Sequence, residues 1–208
     1  MGNAKITVVD YKGLPKKAED IRQLGIGLNK FMIDTYTNMK EMHEEWYGIR
    51  YDALLTEMNS MVTNINSMLD LVVDQLPIAL ETVAKNYARA DQGSENSIGS
   101  NQAKHVVAIS PFKDEEMRFL RQEVETRHSV ISKLFKDSIS QMNIIDSKYK
   151  EITWQSEAAT AFRTKFLKLK ANIETSFTNI DTLFGKLMTA AEQDMQSAED
   201  SNTVEADG

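Results

Sequence analysis

Trp46-Tyr47-Gly48 interrupts an amphipathic pattern that otherwise runs from about residue 15 to residue 91. A second tryptophan, in Trp154-Gln155-Ser156, interrupts the other half of the chain in the same way. Gly48 is a natural break, because glycine tolerates backbone angles that end one helix and start another. The sequence therefore predicts two helix-turn-helix units, each with a tryptophan at its bend.

The composition favours long helices and limits the classes of partner. Hydrophobic residues make up 41% of the chain, and there are only 3 prolines and 9 glycines, which suits an all-α protein better than a turn-rich β architecture. The formal net charge of -7 argues against nucleic acid as a partner, because neutralising phosphates requires clustered Lys and Arg. The absence of cysteine excludes disulfides, thiolate catalysis and Cys-ligated zinc, but it leaves the compartment open.

We expect no membrane-spanning helix, because Asp70 and Asp74 break the most apolar stretch, residues 69–80. The N-terminal stretch MGNAKITVVDYK lacks the apolar core of a signal peptide. Ile6 stands where the myristoylation pattern requires Ser or Thr, so we expect Gly2 to be unmodified. If the protein leaves the cell, we expect a route for folded substrates.

Apolar or small residues recur alternately three and four positions apart on both sides of Trp46, which is the pattern of the packed face of a helix in a bundle. We call this face the seam. The first helix is predicted to start near Pro15, whose fixed φ suits a first helical turn. The second is predicted to extend over roughly 40 residues, or ~60 Å. Pro77 lies inside it and crowds the carbonyl of Val73, so we expect a bend there and not a chain reversal. The seam residues are Ile21, Leu24, Leu28, Met32, Thr35, Met39, Met42 and Trp46, then Tyr51, Leu55, Met58, Val62, Ile65, Leu69, Val72, Leu76, Ala79, Val83 and Tyr87.

Residues 92–110 lose the heptad pattern and are rich in Gly, Ser and Asn, which predicts a flexible connection. Its second part repeats an early segment of the chain, since both contain a β-branched run followed by proline. Ser110 is a predicted N-cap, with Pro111 opening the third helix. The predicted units are a lead-in at 1–14, a first hairpin at 15–91, the connection at 92–110, a second hairpin at 111–197 and a disordered acidic tail at 198–208.

Neither hairpin covers its own apolar seam, because two antiparallel helices leave one side open to water. The connection keeps the other hairpin at a high effective concentration. We therefore predict that the two hairpins form an antiparallel four-helix bundle within one chain. A homodimer that exchanges hairpins remains open.

The chain offers little for catalysis. His43 is flanked by acidic residues and is expected at a solvated helix end, and His105 lies in the connection. The stretch Glu125-Thr126-Arg127-His128 matches the Glu-x-x-His element of di-iron carboxylate bundles, but the second element is missing, because Lys40 precedes His43 where Glu is required. No Ser/His/Asp order or phosphate-binding glycine loop stands out. We expect no enzymatic activity, cofactor or metal, and we interpret His128 as a hydrogen-bonded or partly exposed side chain.

The two turns resemble those of the WXG family, small secreted hairpin proteins related to early secreted antigenic target proteins and exported by type VII secretion systems. Trp46-Tyr47-Gly48 matches the Trp-x-Gly turn of the family, and Tyr87-Ala88-Arg89-Ala90-Asp91 matches its Tyr-x-x-x-Asp tail. Trp154-Gln155-Ser156 resembles the serine variant of the turn. The second unit departs from the pattern, because its helix end near Asp194 has no tyrosine. The resemblance covers about residues 15–197.

The resemblance implies a secreted, non-enzymatic protein that looks like a heterodimeric pair fused head to tail. In such pairs the hairpins pack antiparallel, so that the Tyr-x-x-x-acid tail of one lies beside the Trp turn of the other. It implies that Tyr87 and Asp91 lie near Trp154 and that Ser156 belongs to the same composite export signal, read by the secretion ATPase. Other secreted helical proteins are further expected partners, and the protein would be cytoplasmic before export. The alternative is an intracellular helical adaptor or scaffold in which the tryptophans only wedge the bends.

Overall fold

Four long helices pack against each other in the computed structural model, which describes residues 10–91, 93, 97, 99–112 and 116–201. This arrangement confirms the predicted all-α four-helix fold. No helix in these ranges is long and apolar enough to cross a membrane. The helices are α1 (Leu14–Glu41), a second long helix in the three segments α2 (Ile49–Ser60), α3 (Val62–Asp70) and α4 (Leu76–Ala90), then α5 (Arg121–Lys150) and α6 (Glu157–Ser201).

Helices α1 and α5 lie side by side and run in opposite directions. Near the end of α1, Glu41 binds the guanidinium of Arg127 at 2.9 Å. Near its beginning, the Lys17 ammonium donates to the carbonyl of Glu151 at 2.7 Å. The turn between α1 and α2 and the turn between α5 and α6 are therefore at opposite ends of the bundle, which we call the Trp46 end and the Trp154 end.

Helix α6 packs along the second long helix, also antiparallel. Arg50, at the start of α2, binds Asp194 at 2.9 Å. Lys165 donates to the side-chain oxygen of Gln75 at 3.2 Å, farther along both helices. The end of α4 consequently lies at the same end of the bundle as the beginning of α6.

The predicted seam supplies the core, because residues spaced three and four apart share one helix face. Methionines fill much of it, as the sequence indicated, since an unbranched thioether adapts to irregular gaps. Trp46 is 1% exposed and contacts the rings of Tyr51, Phe119 and Phe184. Buried seam residues of the first hairpin include Ile21, Leu28, Met32, Met39, Met42, Leu55, Met58, Ile65, Leu69, Val72 and Leu76.

A π-helical turn, Leu71–Gln75, interrupts the second long helix just before Pro77. Proline has no N–H, so the carbonyl of Val73 loses its usual intrahelical donor. The buried side chain of Arg22, on α1, donates from Nε to this oxygen at 3.3 Å. The chain continues in the same direction through the interruption, and α1 compensates for the missing backbone donor.

The third helix begins ten residues later than Pro111, at Arg121, so Ser110 is not its N-cap. Before it, the two-residue strand β2 (Arg118–Phe119) pairs antiparallel with β1 (Trp46–Tyr47). This pairing requires extended backbone where the proline signal predicted helix. Residues 113–115 lie outside the described part of the chain.

Helix α6 continues to Ser201, so the predicted disordered tail at 198–208 is helical in its first residues. Alanine and acidic residues there sustain the helix without a buried face, since residues 195–201 are all exposed. Residues 202–208 of the predicted tail lie outside the described residues.

Three asparagines hold the connection between the hairpins, which was predicted to be flexible. Each donates its side-chain Nδ2 to the carbonyl of one residue and accepts from the N–H of that same residue, at 2.6 to 2.9 Å. A side-chain amide thus offers the donor and acceptor that a neighbouring strand would offer. We call residues 101–112 the strap. The pairs are Asn29 with Lys104, Asn66 with Val106, and Asn59 with Ile109.

Every third side chain of the strap packs toward the bundle. Val106 and Ile109 are buried, while Ala103 and Phe112 are partly buried against the core. Val107, between them, is 76% exposed. A period of three is that of an extended polyproline-II-like chain. The strap therefore covers the groove of the first hairpin through buried apolar side chains and through hydrogen bonds from its backbone to the three asparagines.

Candidate functional site

Gly48 shapes the turn at the Trp46 end. Its φ of 116° lies in the region that side chains rarely adopt, so glycine is required there. It is the N-cap of α2, and its carbonyl accepts from the N–H of Asp52 at 3.1 Å. Trp46 pairs with Phe119 across the β1–β2 ribbon, and its ring is enclosed by the core. This turn motif consequently has a structural role, and its tryptophan, Trp46, is buried.

Ser156 takes the corresponding position at the Trp154 end. Its Oγ accepts from the N–H of Ala159 at 3.1 Å, and its carbonyl accepts from the N–H of Thr160 at 3.0 Å. The residue two positions after each tryptophan thus caps the following helix, Gly48 through backbone freedom and Ser156 through its hydroxyl. Trp154 differs from Trp46 because its ring is only partly buried.

The Trp154 turn borders an open hollow of about 500 Å³. At its wall the buried Tyr149 hydroxyl donates to the carbonyl of Ala159 at 2.8 Å. Burial raises the pKa of Tyr149 to about 12, and the charge of Arg163 acts in the opposite direction. The Arg163 guanidinium lies 5.4 Å from the centre of that ring. The accessible hollow beside Trp154 therefore has the cationic side chain of Arg163 at its wall.

Tyr87 lies in the last turn of α4, and Asp91 is its C-cap. Tyr87 is partly buried and Asp91 is exposed. Tyr11, from the segment before α1, stacks on Tyr87 with ring centroids 6.4 Å apart and an interplanar angle of 23°. Its hydroxyl also donates to Oδ2 of Asp91, and this hydrogen bond is the main cause that raises the pKa of Tyr11.

The four residues of the predicted export signal share one end of the bundle. Tyr87 and Asp91 close α4 there, and the turn with Trp154 and Ser156 opens α6 there. The link between the two parts passes through the beginning of α1, since Lys17 binds the carbonyl of Glu151 while the preceding segment contacts α4.

The two aromatic rings of the predicted signal have different partners. Tyr87 stacks on Tyr11, and Trp154 contacts the ring of Phe162 at a centroid distance of 6.3 Å. The structure thus brings the two parts to the same end of the bundle, where each ring contacts a different aromatic partner. The other turn motif, with Trp46 and Gly48, lies at the opposite end.

His128 bridges α5 and α6. Its Nε2 lies 2.9 Å from a carboxylate oxygen of Asp181, and its ring stacks on Phe184 with centroids 4.2 Å apart. Glu125, the other residue of the Glu-x-x-His element, accepts a hydrogen bond from Arg121. Within the described ranges, no group of three or more His, Asp and Glu side chains could hold a metal ion.

Tyr11 and the three strap-binding asparagines were not identified from the sequence. Tyr11 lies outside every periodic stretch, and the asparagines look like ordinary polar positions on amphipathic helices. No protein-family model matches the chain, and comparisons with curated proteins and with solved structures give no match either. The sequence motifs and the geometry at the Trp154 end are therefore the only observations that point to a function.

Proposed function

We propose that this protein is a non-enzymatic helical substrate of a type VII secretion system, with an export signal composed of Tyr87, Asp91 and the Trp154 turn. The observation that carries the proposal is the antiparallel packing of the two hairpins. It leaves an aromatic ring and an exposed carboxylate at the same end of the bundle as the more accessible of the two tryptophan turns.

The chemistry of this end suits recognition by a receptor. Tyr87 and Asp91 are four residues apart, so they share one helix face near a helix end. A binding groove can accept an apolar ring and hydrogen-bond a carboxylate at the same time. Trp154 adds accessible aromatic surface, whereas a receptor could contact the Trp46 ring only if the core opened.

Ion pairs join neighbouring helices at the Trp46 end of the bundle, opposite the proposed signal. Arg127 binds Glu41 and Glu45 at 2.9 and 2.8 Å, and Arg50 binds Asp194 at 2.9 Å. These charged groups fix the helices against each other.

The proposal is tested by comparing the protein in the culture medium with the protein inside the cells of its native host. We expect Tyr87→Ala, Asp91→Ala and Trp154→Ala to remain inside the cells. The matched control is Asn86→Ala, an exposed position beside Tyr87 on α4, which should be exported like the wild type.

Thermal unfolding of each purified variant separates a lost signal from a lost fold, because Tyr87→Ala removes a partly buried ring. Retention with an unchanged melting temperature supports the export signal. Equal export of all variants, or a wild type that stays inside cells with an active secretion system, would overturn the proposal and favour an intracellular adaptor.

A further inference from the structure

We propose that Tyr11 is a positioning residue of the export signal, which holds the ring of Tyr87 and the carboxylate of Asp91 in the arrangement that the receptor reads. This inference rests on the proposed function. Tyr11 is separated from Asp91 by 80 positions in the sequence, and it reaches both signal residues from the segment before α1.

The end of α4 needs such support. Asp91 has φ -93° and ψ 8°, outside the helix, and a Gly- and Ser-rich stretch follows it. The last carbonyls of a helix lack intrahelical donors, and helix ends open more readily than helix centres. Two backbone hydrogen bonds close this end, from Asp91 to the carbonyl of Tyr87 and from Gly93 to that of Ala88, at 2.9 and 2.8 Å. A side chain from the segment before α1 adds a contact that does not depend on the backbone hydrogen bonds of α4.

Tyr11 makes this contact from a segment whose backbone is held in place. The N–H of Gly13 donates to Oδ1 of Asp10 at 2.9 Å, which closes a turn immediately before α1. Leu14, the first residue of α1, is buried. Tyr11 is therefore held close to the start of α1, where its ring packs partly against the core and stacks on Tyr87.

The contact positions the signal and leaves it accessible. The Tyr11 hydroxyl binds Oδ2 of Asp91, whereas a carboxylate offers about four acceptor positions, and Asp91 remains exposed. Tyr87 is covered by Tyr11 on one face and remains partly exposed. An open hollow of about 410 Å³ borders Tyr11, lined in part by Pro15, Ala84 and Gly93. A receptor that meets this preformed arrangement does not have to order the helix end when it binds.

The test uses the full chain with Tyr11→Phe, Tyr11→Ala and the control Lys16→Ala, an exposed position in the first turn of α1. Phenylalanine keeps the ring contact and loses the bond to Asp91. We expect export to decrease from wild type through Tyr11→Phe to Tyr11→Ala, with the last as low as Asp91→Ala. Lys16→Ala should be exported like the wild type.

Amide hydrogen exchange supplies a readout that is independent of secretion. Loss of one hydrogen bond typically weakens a local structure enough to raise exchange about fivefold. We expect this increase at the amides of Asp91 and Gly93 in Tyr11→Ala, and an unchanged melting temperature.

The outcomes distinguish the two proposals. If Tyr87→Ala and Asp91→Ala are exported normally, the proposed function fails, and the role of Tyr11 fails with it. If those two variants are retained while Tyr11→Ala is exported as well as or better than the wild type, only the positioning role is refuted. Unchanged exchange at Asp91 and Gly93 refutes it as well.

Discussion

Replacing Asn66 by alanine removes both hydrogen bonds that hold Val106 of the strap. Val106 is 4% exposed, so its N–H and carbonyl have little access to water. Leaving a buried donor or acceptor without its partner costs ~1–2 kcal/mol, and Asn66→Ala leaves two such groups on Val106. We expect Asn66→Ala to lower the free energy of unfolding by about 2–4 kcal/mol.

Asn64→Ala is the matched control for this change. Asn64 lies two residues away on α3 and is also partly buried, but the strap-binding amide belongs to Asn66. Both changes place alanine in the same helix, which favours the helix by up to ~0.7 kcal/mol, so the difference between the variants isolates the strap contact.

Urea unfolding followed by tryptophan fluorescence measures both variants, because Trp46 is enclosed in the folded bundle. The midpoint for Asn66→Ala should fall well below that for Asn64→Ala. Free energies that agree within about 0.5 kcal/mol would refute the reasoning, because the strap would then contribute nothing measurable to stability.

Three further changes probe the turns. Gly48→Ala places a side chain at φ 116° and should cost about 1–3 kcal/mol in thermal unfolding. Ser156→Ala should cost about 1 kcal/mol by removing the helix cap, and Ser156→Asp should restore it in the same assay. Burial raises the pKa of Tyr149 to about 12, above its unfolded value near 10, so its stabilising contribution is complete below pH 10 and is lost as the pH rises toward 12. Urea unfolding of Tyr149→Phe should therefore show a smaller decline between pH 10 and 12 than the wild type.

The four long helices could be predicted because their apolar periodicity is long and is interrupted mainly at the two tryptophan turns, where the chain reverses. Trp46 and Trp154 mark the two reversals, and Gly48 and Ser156 cap the helices that follow. Pro77 could be assigned to the helix interior, but the compensation by Arg22 depends on a residue of another helix. Local sequence therefore indicated the interruption without indicating what stabilises it.

The strap could not be predicted because its period is neither that of a helix nor that of a strand. Val106, Ile109 and Phe112 recur every third residue, and the glycines and serines before them suggested a solvated connection. The late start of α5 has a similar cause. Pro111 is a local helix signal, but pairing of β2 with β1 depends on backbone far away in the sequence.

The candidate site was only partly predictable for the same reason. The spacing of Tyr87 and Asp91 and the position of Trp154 are visible in the sequence, and the resemblance to the WXG family implied that these residues lie near each other. The contact from Tyr11 joins segments 80 positions apart, with no periodic pattern at Tyr11 to suggest it. The positions that tie distant elements together are thus the ones that local patterns miss.

Export by a type VII system is tested by the distribution of the wild-type protein between medium and cells, in hosts with and without the membrane-bound secretion ATPase. We expect wild-type protein in the medium only when the ATPase is present, with Asp91→Ala retained in both hosts. Wild-type protein that stays inside cells with an active ATPase, or that reaches the medium equally without it, would rule out type VII export.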